Sequence, residues 1–442
     1  MLQIIAYMVK QKIVIYFNMK QIETNDYKLL FSEKSNVLPD IILETYRGKI
    51  YCNLLKSFII SCVSRLDEKI FTNKKSFNRT VTNLLASWFF TLYSDYDFND
   101  DAFFPTYPTC TDSLKNTLFH YCSIHDIEHQ EEKINNIITD LLNSYQLILD
   151  QLNTYKKSDF YSENKNNFSI KKHTITEKRD GENITFYKFK VVFKCKLYIN
   201  NIRLGNILDN IIIPVEEYNN MVNRYSGHII NLDNYIWVIL FRYQLLGSNN
   251  NQLAVLPNVL DEMKNDLNLS IECFASTINT SSSIYCSLYY DMENFFGSIG
   301  SFFNTQLIKG TFSFNPPYQT DIIEKGVHKI INSLQNSTDN LAFIITIPIW
   351  DENGKEIMAN NNMKNNNTNI DYGDFEIINT MKSSIYFRGL RMISKNEFTY
   401  LDHNFHLYKN KTIQNTYIII MANFANNYID YINNYDFYNY QM

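Results

Sequence analysis

The chain has 442 residues, with 41 Lys+Arg against 46 Asp+Glu for a formal charge of −5, 45% hydrophobic residues and 20% charged ones. That balance belongs to a globular chain long enough for two or three domains. With 12 Gly and 8 Pro beside 32 Tyr and 31 Phe, the composition argues against disordered, collagen-like and propeller-type chains. The mild acidity requires that any nucleic acid be held by a local basic patch, not by the field of the whole molecule.

Seven cysteines stand without a CxxC pair, so neither a zinc ribbon nor a disulfide scaffold is expected, and a reducing compartment fits. The apolar start from Leu2 to Val9 is cut by Lys10 and Lys12. No stretch reaches the roughly 18 apolar residues of a spanning helix. The expectation is an intracellular, monomeric protein without membrane insertion, in the nucleus or at a viral or cytoplasmic transcription site.

From Asp40 to Leu152 the pattern is helical, clearest where Ile134, Ile137, Ile138, Leu141, Leu142, Tyr145, Ile148 and Leu152 recur at three- and four-residue steps. Within it, Asp95 to Pro108 reads as an irregular surface loop. The run His120, Cys122, His125, His129 suggests a metal, but structural zinc takes four ligands from paired clusters and no second cluster follows, so no metal is expected.

Past Asn167 the period becomes two: Lys171 to Arg179, a turn at Asp180-Gly181, and a strand from Asn183 to Ile199 form a β-hairpin. On this second strand Lys188, Lys190, Lys194 and Lys196 share one face and Phe189, Val191, Phe193, Cys195 and Leu197 the other. Lys171, Lys172, Lys178 and Arg179 widen the basic face into a candidate track for RNA phosphates. The competing account is an edge whose lysines block strand addition.

From Tyr235 helix and strand alternate: helices at Trp237 to Leu246 and Asn258 to Leu267, strands at Ser270 to Ala275, Ile284 to Tyr290 and Thr311 to Phe314. A helix carrying Ile323, Val327, Ile330, Ile331 and Leu334, the strand Leu341 to Ile349, and a late strand Thr412 to Asn423 follow. Such alternation predicts an α/β sandwich. An insertion at 359–369 reads as a loop, and the tail beyond Asn426 receives no element. The division expected is 1–165 helical, 166–234 hairpin and connection with the basic strand, and 235–442 α/β.

Asn315-Pro316-Pro317-Tyr318 follows a short apolar strand and precedes a helix, which puts it at the carboxyl end of a sheet, where open α/β folds bind ligands. An exocyclic amine such as adenine N6 is a poor nucleophile because its lone pair is delocalised into the ring. A site that methylates it needs two acceptors for the amine hydrogens and a platform for the ring, with the donor methyl in line. The Asn315 side-chain oxygen and the Pro316 carbonyl supply the acceptors, Pro316 and Pro317 stiffen the turn, and Tyr318 can stack. The same four letters also suit a plain strand-ending turn with an aromatic anchor. The bend Ser276-Thr277-Ile278-Asn279 after the strand at 270–275 is a candidate seat for the methionine part of S-adenosylmethionine, without the Gly-rich signature.

From Phe241 to Asn423 the chain resembles the cap-specific adenosine N6-methyltransferases, the phosphorylated-CTD-interacting-factor family, through ordered blocks. These are Phe241 to Leu246; Ile271 to Ser276 with Asn279; Phe296-Gly297-Ser298 with Gly300; Gly310-Thr311-Phe312 leading into Asn315 to Tyr318; and Phe343-Ile344 with Ile347 to Trp350. Tyr386 to Gly389 and Asn415-Thr416 are weaker echoes. The resemblance implies a Rossmann-like, S-adenosylmethionine-dependent domain over 235–442 that methylates N6 of the cap-adjacent, 2′-O-methylated adenosine of mRNA. It implies that Asn315 and Pro316 orient the amine, that Pro317 shapes the turn, and that Tyr318 stacks where the family more often has Phe. Glu272, Phe274, Ala275 and Ser276 would line the cofactor cleft with Asn315, and Asp291 would meet the cofactor ribose. Capped mRNA with a 5′ adenosine is the expected partner. Thr277 replaces the Pro of the family's Phe-Ala-Ser-Pro block. With only three Trp (88, 237 and 350), no WW domain is expected, and polymerase-tail binding is not supported. Rival readings are a methyltransferase of other RNA or DNA adenosines or of glutamine, and a catalytically silent cap-binding scaffold.

Overall fold

The computed structural model describes residues 27–29, 38–66, 74–94, 101–105, 111–124, 130–179, 181–197, 200–247, 252–348, 376–403, 409–411 and 415–435. The insertion at 359–369, Trp350, His125 and His129 lie outside the described residues. A short strand β1 (Tyr27–Leu29) precedes five helices: α1 (Ile41–Arg65), α2 (Lys74–Ser94), α3 (Asp112–Ile124), α4 (Glu131–Lys156) and α5 (Asp159–Asn164). Asp40 starts α1 by accepting from the Leu43 amide at 2.9 Å. The stripe read from α4 faces inward, with Ile134, Ile137, Ile138, Leu141, Tyr145, Ile148 and Leu152 buried.

Around Asp101 the expectation of a surface loop is corrected. Phe103 and Phe104 are 0% exposed and pack on Phe89, while Asp101 accepts from Arg47 (2.6 Å) and Lys156 (2.7 Å). Aromatics that leave water override the loop-like signal of the flanking acids.

The hairpin β2 (Phe168–Arg179) and β3 (Glu182–Phe193) pairs over its full length, from Phe168 opposite Phe193 to Arg179 opposite Glu182. Helix α6 (Ile202–Asp209), strand β4 (Ile211–Pro214), which pairs with β3, and α7 (Val215–Arg224) complete this part. The second hairpin strand ends at Phe193, not Ile199. Helix α8 (Leu232–Leu246) is apolar around most of its circumference and is enclosed by the helical core.

The α/β part then runs β5 (Leu253–Val255), α9 (Pro257–Leu267), β6 (Leu269–Glu272), α10 (Tyr290–Glu293), β7 (Thr305–Leu307) and β8 (Gly310–Phe314). It continues with α11 (Thr320–Asn336), β9 (Leu341–Pro348), α12 (Glu376–Ser383), β10 (Phe387–Ile393), β11 (Tyr400–Asp402), β12 (Lys409–Lys411), β13 (Thr416–Ala422) and α13 (Tyr428–Asn434). Two expectations are corrected. Residues 284–290 form no strand: Tyr285 makes single parallel bridges to Glu272 and Ser298, and the chain then turns into α10. The tail, given no element, forms α13, whose Ile432 is fully buried.

The main sheet has the order β10-β13-β9-β8-β6, with β6, β8 and β9 parallel and β13 antiparallel to both its neighbours. Its strands alternate between two cores. Phe343, Ile345 and Ile347 of β9 face α11 and α12, whereas Ile344 faces α9 and α13. Helices therefore cover both faces, the arrangement expected of a buried, mostly parallel sheet. No described helix is long and apolar enough to cross a membrane.

The helical part is fastened to this sandwich by a buried guanidinium. Arg242 of α8, 1% exposed, donates to both carboxylate oxygens of Glu44 in α1 (2.6 and 3.0 Å) and to both of Asp291 in α10 (2.8 and 2.9 Å). Removing one member of such a buried set leaves uncompensated charge, at a cost of about 3–5 kcal/mol. Arg242→Leu is expected to lower the unfolding free energy from urea titration by that amount with an unchanged m-value; a loss below about 1 kcal/mol contradicts the assignment.

Candidate active site

Strand β8 releases the chain into Asn315-Pro316-Pro317-Tyr318, and a bond from the Gln319 amide to the Pro317 carbonyl (2.7 Å) closes the turn before α11. Neighbouring β6 releases it into Phe274-Ala275-Ser276, with the Cys273 amide donating to Ser313 (2.8 Å) and the Ala275 amide to Cys286 (2.9 Å). Sequence order reverses between these two strands, so their connections leave in opposite directions and open a crevice. Both loops line one cleft that opens to solvent. Phe302 and Phe303 form one wall, and Phe90 and Tyr93 of α2 with Tyr243 of α8 form another. That second wall is pinned by Thr91 donating to Asp321 (3.0 Å) and Lys325 donating to the Ser94 carbonyl (2.9 Å).

Seven of the residues singled out meet here: Asn315, Pro316, Pro317, Tyr318, Phe274, Ala275 and Ser276. The Tyr318 hydroxyl donates to Asn315 Oδ1 at 3.2 Å, and its ring meets that of Tyr400 edge-on at 6.2 Å. Burial, reinforced by Tyr400, pushes the Tyr318 phenol well above its ordinary range, so it remains protonated.

Glu272 and Asp291 do not line this cleft and have other partners. The Glu272 carboxylate, on a residue 6% exposed, accepts from the Ser281 amide (2.9 Å), the Ser282 amide (2.8 Å) and the Thr280 hydroxyl (2.9 Å), clamping the following loop. Asp291 is engaged by Arg242, because α10 stands where a strand end was expected.

The lysines lie on the hairpin, away from the cleft lining. Lys190, Lys194 and Lys196 are exposed and Lys188 is half-buried, and Lys194 and Lys196 lie beyond the strand's end at Phe193. Lys171 sits directly opposite Lys190, and His173 opposite Lys188, so a basic face exists on the paired strands. Lys172 turns away to Asp233 (3.0 Å) and Tyr218.

The loop after Ser276 carries a device that sequence reasoning missed. The Thr277 amide and hydroxyl both donate to Glu293 Oε1, at 2.7 and 3.0 Å. Glu293 is fully buried and also accepts from Tyr243 (3.0 Å) and the Tyr289 amide (3.1 Å). Proline has no amide hydrogen, so the threonine at this position gains an anchor that proline cannot make. Burial raises the Glu293 carboxyl while its donors lower it. Asn279 closes the same loop, its Oδ1 accepting from the Ser276 amide (2.7 Å), and Gln252 approaches the Ser276 hydroxyl at 2.9 Å. The available signal was Glu293 itself, two positions past Asp291 and turned inward by the short helix.

Residues 216–379 match the family model described as "Phosphorylated CTD interacting factor 1 WW domain". Over 123 residues, 26% of its length, the chain is 32% identical to the mRNA (2′-O-methyladenosine-N(6)-)-methyltransferases of Mus musculus and Homo sapiens. The match covers 17% of the mouse protein and 18% of the human one, so the chain spans under a fifth of the curated relatives it matches. The expectation that no WW domain is present is corrected by the match to the model bearing that domain's name. Counting tryptophans misled because the matched segment, from α7 into α12, is an α/β chain and not a short tryptophan-spaced module. With it falls the ground for setting polymerase-tail recognition aside.

Glu293→Gln places an amide NH2 against at least one of four donors. The expected loss is about 1–3 kcal/mol in urea unfolding, larger than that of Thr277→Val, which removes a single hydroxyl. Equal stability of Glu293→Gln and the unmodified protein is the contrary result.

Proposed function

We propose that this chain transfers a methyl group from S-adenosylmethionine to N6 of the cap-adjacent adenosine of mRNA, the reaction named for the mouse and human relatives. The observation that carries the reading is the meeting of Asn315 to Tyr318 with Phe274 to Ser276 in one cleft where strand order reverses. The sheet supports a Rossmann-like assignment. Numbering segments along the chain as Glu272, Tyr285, Ser298, β8, β9, β10 and β13, their spatial order is 3-2-1-4-5-7-6. This is the doubly wound order 3-2-1-4-5-6 with one antiparallel strand inserted.

The cleft opens to solvent and is lined by the aromatic rings of Phe274, Phe302, Phe303 and Tyr318 beside polar Ser276, Asn279 and Asn315, a mixture suited to a nucleoside. The Ser276 to Asn279 bend is held rigid by Glu293 and would seat the amino-acid end of the cofactor. When bound, S-adenosylmethionine supplies an electrophilic methyl on sulfonium. Asn315 Oδ1 and the Pro316 carbonyl accept the two N6 hydrogens, hold the amine against that methyl, and draw electron density toward nitrogen. The Tyr318 ring supports the adenine plane. After transfer the nitrogen is strongly acidic and releases its proton to water without a dedicated base. A 5′-terminal nucleotide enters without extraction from a duplex.

Mass spectrometry of cap-adjacent nucleosides after incubation with donor and capped, adenosine-initiated RNA tests the reading. Methylation of uncapped RNA at the same rate favours the broader adenosine substrate, and no saturable S-adenosylmethionine binding removes the enzyme altogether. Asn315→Ala is expected to lower turnover by about 10²–10³-fold while cofactor affinity is retained; unchanged turnover refutes its role. For RNA held on the hairpin, the double variant of Lys171→Gln and Lys190→Gln should reduce the slope of log affinity against log salt by about 0.7 per lost contact, read by fluorescence titration.

A further inference from the structure

We propose that Tyr318 is a positioning residue that selects the orientation of the Asn315 amide, and so discriminates adenine from a 6-oxopurine; this rests on the assignment of Asn315 as the amine acceptor. A carboxamide has an oxygen and an NH2 end of almost equal shape, and turning it over costs little sterically. Only the oxygen end accepts from an N6 amine. The NH2 end would meet that amine donor to donor and would instead suit the keto oxygen of inosine or guanosine.

The structure supplies the means of choosing. Tyr318 lies three residues beyond Asn315, its hydroxyl 3.2 Å from Oδ1, and its ring is braced edge-on by Tyr400 of β11. The Tyr400 hydroxyl lies 3.1 Å from the Thr416 hydroxyl of β13, and both residues are 1% exposed, which fixes the ring that braces Tyr318. A phenol donates more readily than it accepts, because its oxygen lone pair is delocalised into the ring, so the Tyr318 proton is presented to the oxygen end of the amide, not to an NH2. Asn315 Oδ1 keeps its second lone pair for substrate. A phenylalanine here stacks equally well but leaves the amide free to turn.

Tyr318→Phe, which preserves the ring, is the test. The expected result is a turnover number about tenfold lower, with KM for capped RNA and the dissociation constant of S-adenosylmethionine each within about twofold of the unmodified protein. A second readout needs no catalysis: the unmodified protein should bind capped RNA beginning with adenosine about tenfold more tightly than the inosine counterpart, and Tyr318→Phe should lose that preference. Full turnover with an undiminished preference in Tyr318→Phe overturns the proposal, as does a fall in turnover matched by an equal loss of cofactor affinity. If the unmodified protein transfers no methyl group but shows the preference and loses it in Tyr318→Phe, the reaction is misassigned while the positioning role stands. Absence of both transfer and preference removes both.

Discussion

One buried guanidinium holds the two halves of the molecule in register. Arg242 projects from a helix enclosed by apolar neighbours and is matched by Glu44 on one side and Asp291 on the other. Its partner helix α10 is only four residues long, yet it carries two acids with different tasks. Asp291 reaches back to the helical core, and Glu293 reaches forward to the Thr277 amide. The cleft wall supplied by the helical part and the loop supplied by the sheet are thus tied through a single turn of backbone. Such charge sets specify geometry more than they add net stability, since desolvation offsets most of their attraction.

The same economy governs the loop after β6. Glycine-rich turns let backbone amides approach a ligand closely, but this loop is built from Ser276, Thr277 and Asn279, whose side chains fold back on the loop's own amides and on Glu293. Rigidity comes from polar side chains that saturate the turn, instead of from a backbone free to adopt unusual angles.

Much of this was legible in the residues, and the failures have identifiable causes. Helix α4 and strands β8 and β9 were readable because a repeating apolar pattern marks a buried face whatever it packs against. Residues 284–290 looked like a strand because Ile284, Tyr285, Cys286 and Tyr289 are buried, but burial by loop packing and burial by a ladder leave the same composition. The place of Asn315 to Tyr318 beside a cleft was readable because a compact motif between a strand and a helix carries its location with it. The pairing of Asp291 was not readable because a carboxylate near a strand end does not reveal that an arginine 49 residues earlier will engage it. Glu293 and Gln252 escaped notice because their work is done through tertiary contacts that no local spacing encodes.

Strand β13 lies between β9 and β10 although it follows both along the chain. A ribosome therefore delivers the cleft-bearing strands long before the one that zips them to their outer neighbour. Until residues 416–422 emerge, β9 keeps an open row of amides and carbonyls, flanked by Phe343, Ile344 and Ile345 that have nothing yet to pair with. Assembly of the sheet is thus a late and cooperative event, in which the nascent chain passes through an adhesive stage, and premature termination just after β10 yields a product with its stickiest edge uncovered.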